Sequence, residues 1–127
     1  MTGNRDDPRL AFLFYNRGYA KERSGDFGSV LNDYGEALRV NPEYPDAHGN
    51  SAWILATSPD SALRDGKKAG EFATIEARQE NMKNPSDLDT LAVALAEIGN
   101  FDAAVETQEK AISLATSKEE KRNFLIA

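Results

Sequence analysis

Apolar residues recur every three or four positions along almost the whole chain, and two-residue alternation is scarce. That spacing belongs to amphipathic helices rather than strands. Asp7-Pro8 supplies an N-cap followed by a proline at the first helical position, which predicts a first helix running to about Ser24, where Gly25 stops it. Asp26 caps a second helix to about Val40, and Asn41-Pro42 ends it because the residue before proline avoids the helical region. A third helix fits from about Asp46 to Thr57, before the break at Ser58-Pro59-Asp60. Asp65 opens a fourth that reaches about Met82 and is closed by Asn84-Pro85. Ser86 and Asp89 have capping-box spacing for a fifth helix that ends at Gly99, and a sixth covers about Phe101 to Ala115. Ser117 and Glu120 form a further capping box, predicting a separate short helix to the end.

The chain also matches itself. Gly25-Asp26-Phe27 and Gly99-Asn100-Phe101 lie 74 positions apart, and the same offset pairs Phe14 with Leu88, Gly18 with Ala92, Ala20 with Ala94, Val30 with Ala104, Leu31 with Val105, Ala37 with Ala111 and Leu38 with Ile112. So many matches in one register define an internal repeat of helix pairs joined by tight turns. Such arrays stack each unit on its neighbours and present a curved surface that holds other molecules.

These residues resemble the tetratricopeptide repeat family. The first unit carries Phe14, Gly18, Gly25, Phe27, Val30, Tyr34, Ala37 and Pro42 where the family has its signature positions. The last carries Leu88, Ala92, Gly99, Phe101, Ala104 and Ala111, with Gln108 replacing an aromatic and Thr116 standing where proline is usual. The offset of 74 is two units of about 34 plus about six, so the middle unit is longer, and most of the excess falls in Ser58 to Asp65. That unit keeps Ala52, Ala69 and Ala73 and looks like a degenerate bacterial-type repeat. The resemblance implies an all-α, right-handed α-solenoid of three antiparallel helix pairs plus a C-terminal capping helix. It implies one domain over 1–127, with repeats at about 9–44, 45–84 and 85–116 and the cap at 117–127. In that frame Gly18 and Ala92 are small because helices approach closely there. Phe27 and Phe101 plug the turns, and Gly25 and Gly99 take a positive backbone angle.

The family lines its concave face with the first helix of each pair. Carried over, this places Phe12, Tyr15, Asn16, Tyr19, Glu22 and Arg23 on that face, then Asp46, Gly49, Asn50, Trp53, Ala56 and Thr57, then Ser86, Asp89, Thr90, Val93 and Glu97. Tyr15, Asn16, Tyr19, Asn50, Trp53, Asp89 and Thr90 are the expected peptide-binding set: rings to bury apolar area, amides to bond a ligand backbone. Tyr19 and Trp53 serve equally well as packing between units. Tyr15 is the better groove candidate, since Phe12 and Phe14 can fill the core beside it. Some members clamp a C-terminal carboxylate with Lys, Asn and Arg. At the matching places stand Tyr15, Tyr19, Asn50, Ser86 and Thr90, so only Asn50 survives and the cations are gone.

Composition narrows the function further. A net charge of −6 repels phosphate backbones, which argues against nucleic acid as a partner. There is no cysteine, hence no disulfide or thiolate metal site. No apolar run is long enough to span a bilayer, and Met1 to Asp7 lacks the apolar core of a signal peptide, so a cytoplasmic protein is expected. Catalysis finds no support. His48 stands alone near a helix start, in a partly exposed structural role, and Gly66-Lys67-Lys68 lacks the glycine and strand of a phosphate loop. No metal or cofactor site is expected. The expected function is a non-catalytic module that binds a protein or peptide, with weak self-association through its ends or convex side as the alternative. Asp89 and Glu97 would tolerate a neutral or basic segment. Phe124-Leu125-Ile126-Ala127 would cover the last repeat.

Overall fold

Six α-helices and no strands make up residues 6–126, the part described by the structure, a computed structural model; side chains are described through Glu119. The helices are α1 (Ala11–Lys21), α2 (Phe27–Val40), α3 (Ala47–Thr57), α4 (Gly66–Gln79), α5 (Pro85–Glu97) and α6 (Phe101–Ile126). Short 3-10 turns, Pro8–Leu10 and Glu22–Ser24, extend α1 at both ends. Consecutive helices pair as α1 with α2, α3 with α4 and α5 with α6, and the pairs stack through α2–α3, α4–α5 and α3–α5 contacts. This is the α-solenoid of helix pairs that the sequence predicts.

Local chemistry sets most boundaries. The carboxylates of Asp7, Asp26 and Asp65 accept from the backbone N–H of Arg9, Ser29 and Lys68, satisfying donors that a helix start leaves open. Gly25 and Gly99 close their helices at φ +80° and +83°, a region costly to any residue with a Cβ. Three boundaries differ from expectation. Asn84, not Ser86, caps α5, accepting from the Ser86 N–H, and Pro85 becomes the first helical residue. A proline there suits a first turn as well as it ends the preceding segment. α4 stops at Gln79 rather than Met82, because Asn81 and Met82 turn left-handed at φ 59° and 58°. That turn brings Met82 onto Ala77, Leu88 and Ala111. Finally, α6 runs unbroken through Ser117, so no separate capping helix forms. Residues 101–127 contain neither Gly nor Pro, and Thr-Ser alone is too weak a breaker to interrupt a helix. The side chains of Glu120, partner in the expected capping box, and of Phe124 to Ala127 lie outside the described residues.

The core is built largely from small side chains. Ala37, Ala47, Ala52, Ala69, Ala77 and Ala94 are fully buried, letting helix axes approach closely. A Cβ at Gly18 would sit 3.0 Å from Asp33 Cβ and from Tyr34 Cε1, so α1 lies on α2 with no room to spare. Beside that contact Arg17 grips the buried Asp33 with two hydrogen bonds, 3.1 and 2.7 Å, and Lys21 adds an ion pair at 3.2 Å. Burial opposes the charge on Asp33, but the two cations outweigh it and hold its carboxyl below the usual range. Phe12 and Phe101, read as core and turn-plugging residues, are instead 56% and 65% exposed. Phe27 does pack inward, against Val30, Tyr34 and Ile54.

Candidate functional site

The stacking of α3 against α4 and α5 leaves a cleft of about 420 Å³. One wall comes from α3 and the residue before it: Asp46, Gly49, Asn50 and Trp53. The other comes from α5 and its cap: Asn84, Ser86, Asp87, Asp89 and Thr90. Glu76 and Glu80 enter from the C-terminal turn of α4, and Glu22 from the end of the first helix. Four of the seven expected binding residues, Asn50, Trp53, Asp89 and Thr90, therefore meet around one cavity. Trp53 remains 48% exposed.

The other three stand elsewhere. Tyr15 is a packing residue, contrary to its expected place in the groove. Its ring stacks on Tyr34 at 5.2 Å and lies 5.1 Å from Tyr44, while Phe12 is exposed. Burial, helped by the nearby charge of Asp46, pushes the Tyr15 hydroxyl up to about 12. Asn50 donates to that hydroxyl at 2.8 Å, which ties the cleft wall to the first repeat. Tyr19 stacks on Tyr15 at 6.2 Å and is otherwise open, and Asn16 is exposed; neither lines the cleft. Asp89 accepts from Gln108 at 2.7 Å, and the Thr90 hydroxyl donates to the Ser86 carbonyl.

The charge of the cleft is its main property. Six of its twelve described lining residues are carboxylates and none is Lys or Arg. Oxygens of Asp46, Glu76 and Glu80 lie within 4.8 Å of one another, close enough to share one cation, although a calcium ion takes about six to eight oxygens. Glu76 is 3% exposed and accepts from the Gly49 N–H at 2.9 Å. Gly49 makes this possible: a Cβ there would sit 2.9 Å from Glu76 Cγ. Asp46 adopts a left-handed backbone at φ 69° and makes no capping bond, unlike Asp26 and Asp65, which leaves its carboxylate to the cleft. Asp87 Oδ2 is shut off from solvent with no hydrogen-bond partner. Burial, then the charges of Glu80, Glu76 and Asp46, lift Asp87 to about 7. Burial likewise raises Glu76, with Asp46 and Glu80 adding to it.

Glu76 and Glu80 are not among the expected site residues because they come from α4 and its cap, whereas the expected set is drawn from the first helix of each pair; Asp87 lies on such a helix, α5, but in its first turn, beside the expected Ser86. One signal was present. Ala69, Ala73, Glu76 and Ala77 follow helical spacing, and all four are buried, so Glu76 is an acid placed on a core-facing stripe. His48 also differs from expectation. It is 6% exposed, packs edge-on against Phe72 at 5.5 Å, and lies away from the cleft.

The family profile described as Tetratricopeptide repeat matches residues 88–118, which cover most of α5 and the adjoining part of α6. The chain carries a tetratricopeptide repeat. Small glutamine-rich tetratricopeptide repeat-containing protein 2 of Mycosarcoma maydis is 28% identical over 104 residues, covering 80% of this chain and 27% of that protein. The chain thus spans about a quarter of the length of this relative. The relative is fungal, so it lends no support to a bacterial-type repeat. No solved structure matches the chain. Among the described residues, no helix is long and apolar enough to cross a membrane. Tetratricopeptide repeats serve as protein-interaction modules, and the stacked helix pairs here provide the surface such a module needs.

Proposed function

We propose that this chain is a non-catalytic module that takes a peptide segment of a protein partner into the cleft between α3 and α5. The observation that carries the reading is Trp53. A large aromatic ring stands nearly half exposed on the wall of a preformed cavity, where burying it against a ligand is favourable and little ordering is required. Asn50 and Thr90 line the same space; their donors are used internally, and their oxygens suit a ligand's backbone N–H. A photo-crosslinking amino acid in place of Trp53, used in the native host's extract, would covalently trap the bound segment for mapping by mass spectrometry. Trp53→Ala is expected to weaken the mapped partner by about tenfold or more, in the range of an interface anchor, with the helical signal unchanged. A partner that crosslinks nowhere near this position, or binds Trp53→Ala as well as the parent, refutes the cleft as the binding site.

A second reading rests on α6. Phe101, Val105 and Ile112 fall on one face of that helix, and each is more than half exposed. An apolar stripe on a terminal helix supports weak self-association. Light scattering over a concentration series tests it: a dimer that disappears in Val105→Glu supports this reading, and a monomer at all concentrations removes it.

A further inference from the structure

The cleft does not end at Trp53. Trp53 and Glu22 also line a second, smaller pocket of about 200 Å³ whose other walls are Phe27, Ile54, Thr57, Ser58 and Pro59. The indole therefore stands between a strongly acidic cavity and a mainly apolar one. We propose that the segment bound here carries a lysine or arginine that enters the acidic cavity, beside an apolar side chain that fills the neighbouring pocket across Trp53. This rests on the cleft being the peptide site and adds the chemistry of its occupant.

Charge complementarity selects the cation. Oxygens of Asp46, Glu76 and Glu80 converge within 4.8 Å, a spacing that one ammonium or guanidinium group can bridge with several N–H donors at once. Asp87 Oδ2 lies buried beside them with no N–H donor in reach, so a cationic donor entering the cavity finds a fourth carboxyl at hand. Glu76 cannot swing out to water, because the Gly49 N–H pins it and it is nearly fully buried. Like charges held this close repel one another, and a bound cation relieves that repulsion. The exposed indole adds a cation–π surface at the mouth. A bare metal ion would meet the carboxylates but would use neither Trp53 nor the apolar pocket.

The test uses the intact chain and its single tryptophan. Acetylated, amidated peptides hold one arginine and one leucine separated by zero to three glycines, and Trp53 emission reports their binding. Control peptides replace arginine with glutamate or leucine with glycine. The expected result is at least tenfold weaker binding for either control, and about tenfold weaker binding of the best peptide to Glu80→Gln, with that variant's melting temperature no lower than the parent's. Raising salt from 0.05 to 0.5 M should also weaken it. Equal binding of arginine and glutamate peptides, indifference to leucine, or no binding by any peptide at millimolar concentration overturns the proposal. So does calcium chloride that saturates the emission change without displacing the peptide's effect, which would mark a metal site. If crosslinking maps a partner to the cleft but the segment is acidic or neutral, the binding module stands and this inference alone falls.

Discussion

Replacing Asp87 with Asn should make the protein more stable at pH 8, although it removes part of the binding site. Asp87 is lifted from 3.8 to about 7, first by burial and then by Glu80, Glu76 and Asp46. Such a rise corresponds to at most ~4 kcal/mol between the two protonation states. The side chain is only half-buried and the cleft opens to water, so solvent screening reduces the usable part to about 1–2 kcal/mol. The sign follows from proton binding. The folded protein keeps the Asp87 proton up to about pH 7, whereas the unfolded chain releases it near pH 4. This group's contribution is therefore fully present below about pH 4 and is lost as pH rises through 7. Asn carries no charge and lacks this slope. One effect opposes the gain: Asp87 sits in the first turn of α5, where a negative charge is favoured by about 0.5 kcal/mol. That is smaller, so a net gain of about 0.5–1.5 kcal/mol remains and the variant should melt about 2–8 °C higher at pH 8. At pH 4 the two proteins should nearly coincide. Thermal melts followed by circular dichroism at both pH values decide it. A variant less stable than the parent at pH 8, or a gap of the same size at pH 4, would falsify the account of the cleft as a set of mutually repelling buried carboxylates.

Three further outcomes follow from the packing. Tyr15→Ala should cost about 2–3 kcal/mol, somewhat below the loss of a fully buried aromatic ring, because Tyr15 stacks on Tyr34 and Tyr44; a melting temperature equal to the parent's would return Tyr15 to the binding surface. Gly18→Val should destabilise by about 1–3 kcal/mol through overpacking against Asp33 and Tyr34, measured by urea denaturation, and an unchanged midpoint would mean that α1 and α2 are less tightly apposed than described. His48 is buried with Nδ1 unpartnered, and burial holds its pKa below 6.5. Its contribution is present above pH 6.5 and lost as pH falls below that value, opposite in slope to Asp87. On acidification the parent should therefore lose stability relative to His48→Leu, and parallel curves would rule this out.

The features legible in the sequence were those fixed by short-range chemistry. Gly25 and Gly99 announced their left-handed turns, Asp26 and Asp65 their caps, and the match of Ala37 with Ala111 a buried contact in each repeat. The α6 boundary failed because a capping box says where a helix could begin, not whether the preceding one must stop. Only a glycine or proline forces that, and neither occurs there. Tyr15 failed for a different reason. Phe12, Phe14 and Tyr15 crowd one helix turn, and which ring faces inward depends on Tyr34 and Tyr44, which are distant in sequence. The cleft was half legible. The α3 and α5 residues follow from the repeat pattern, but Glu76 reaches the site only because Gly49, 27 positions earlier, has no side chain.

That pairing also bears on how fast a ligand can arrive. A carboxylate clamped to a main-chain N–H on a neighbouring helix has no conformations to search when a partner collides with it. The attractive field is in place before encounter, so capture is steered by long-range attraction and slows as ions shield it, while residence time is left to the short-range fit around the indole. Gly49→Ala would unclamp that field, and its effect should register first in the association rate.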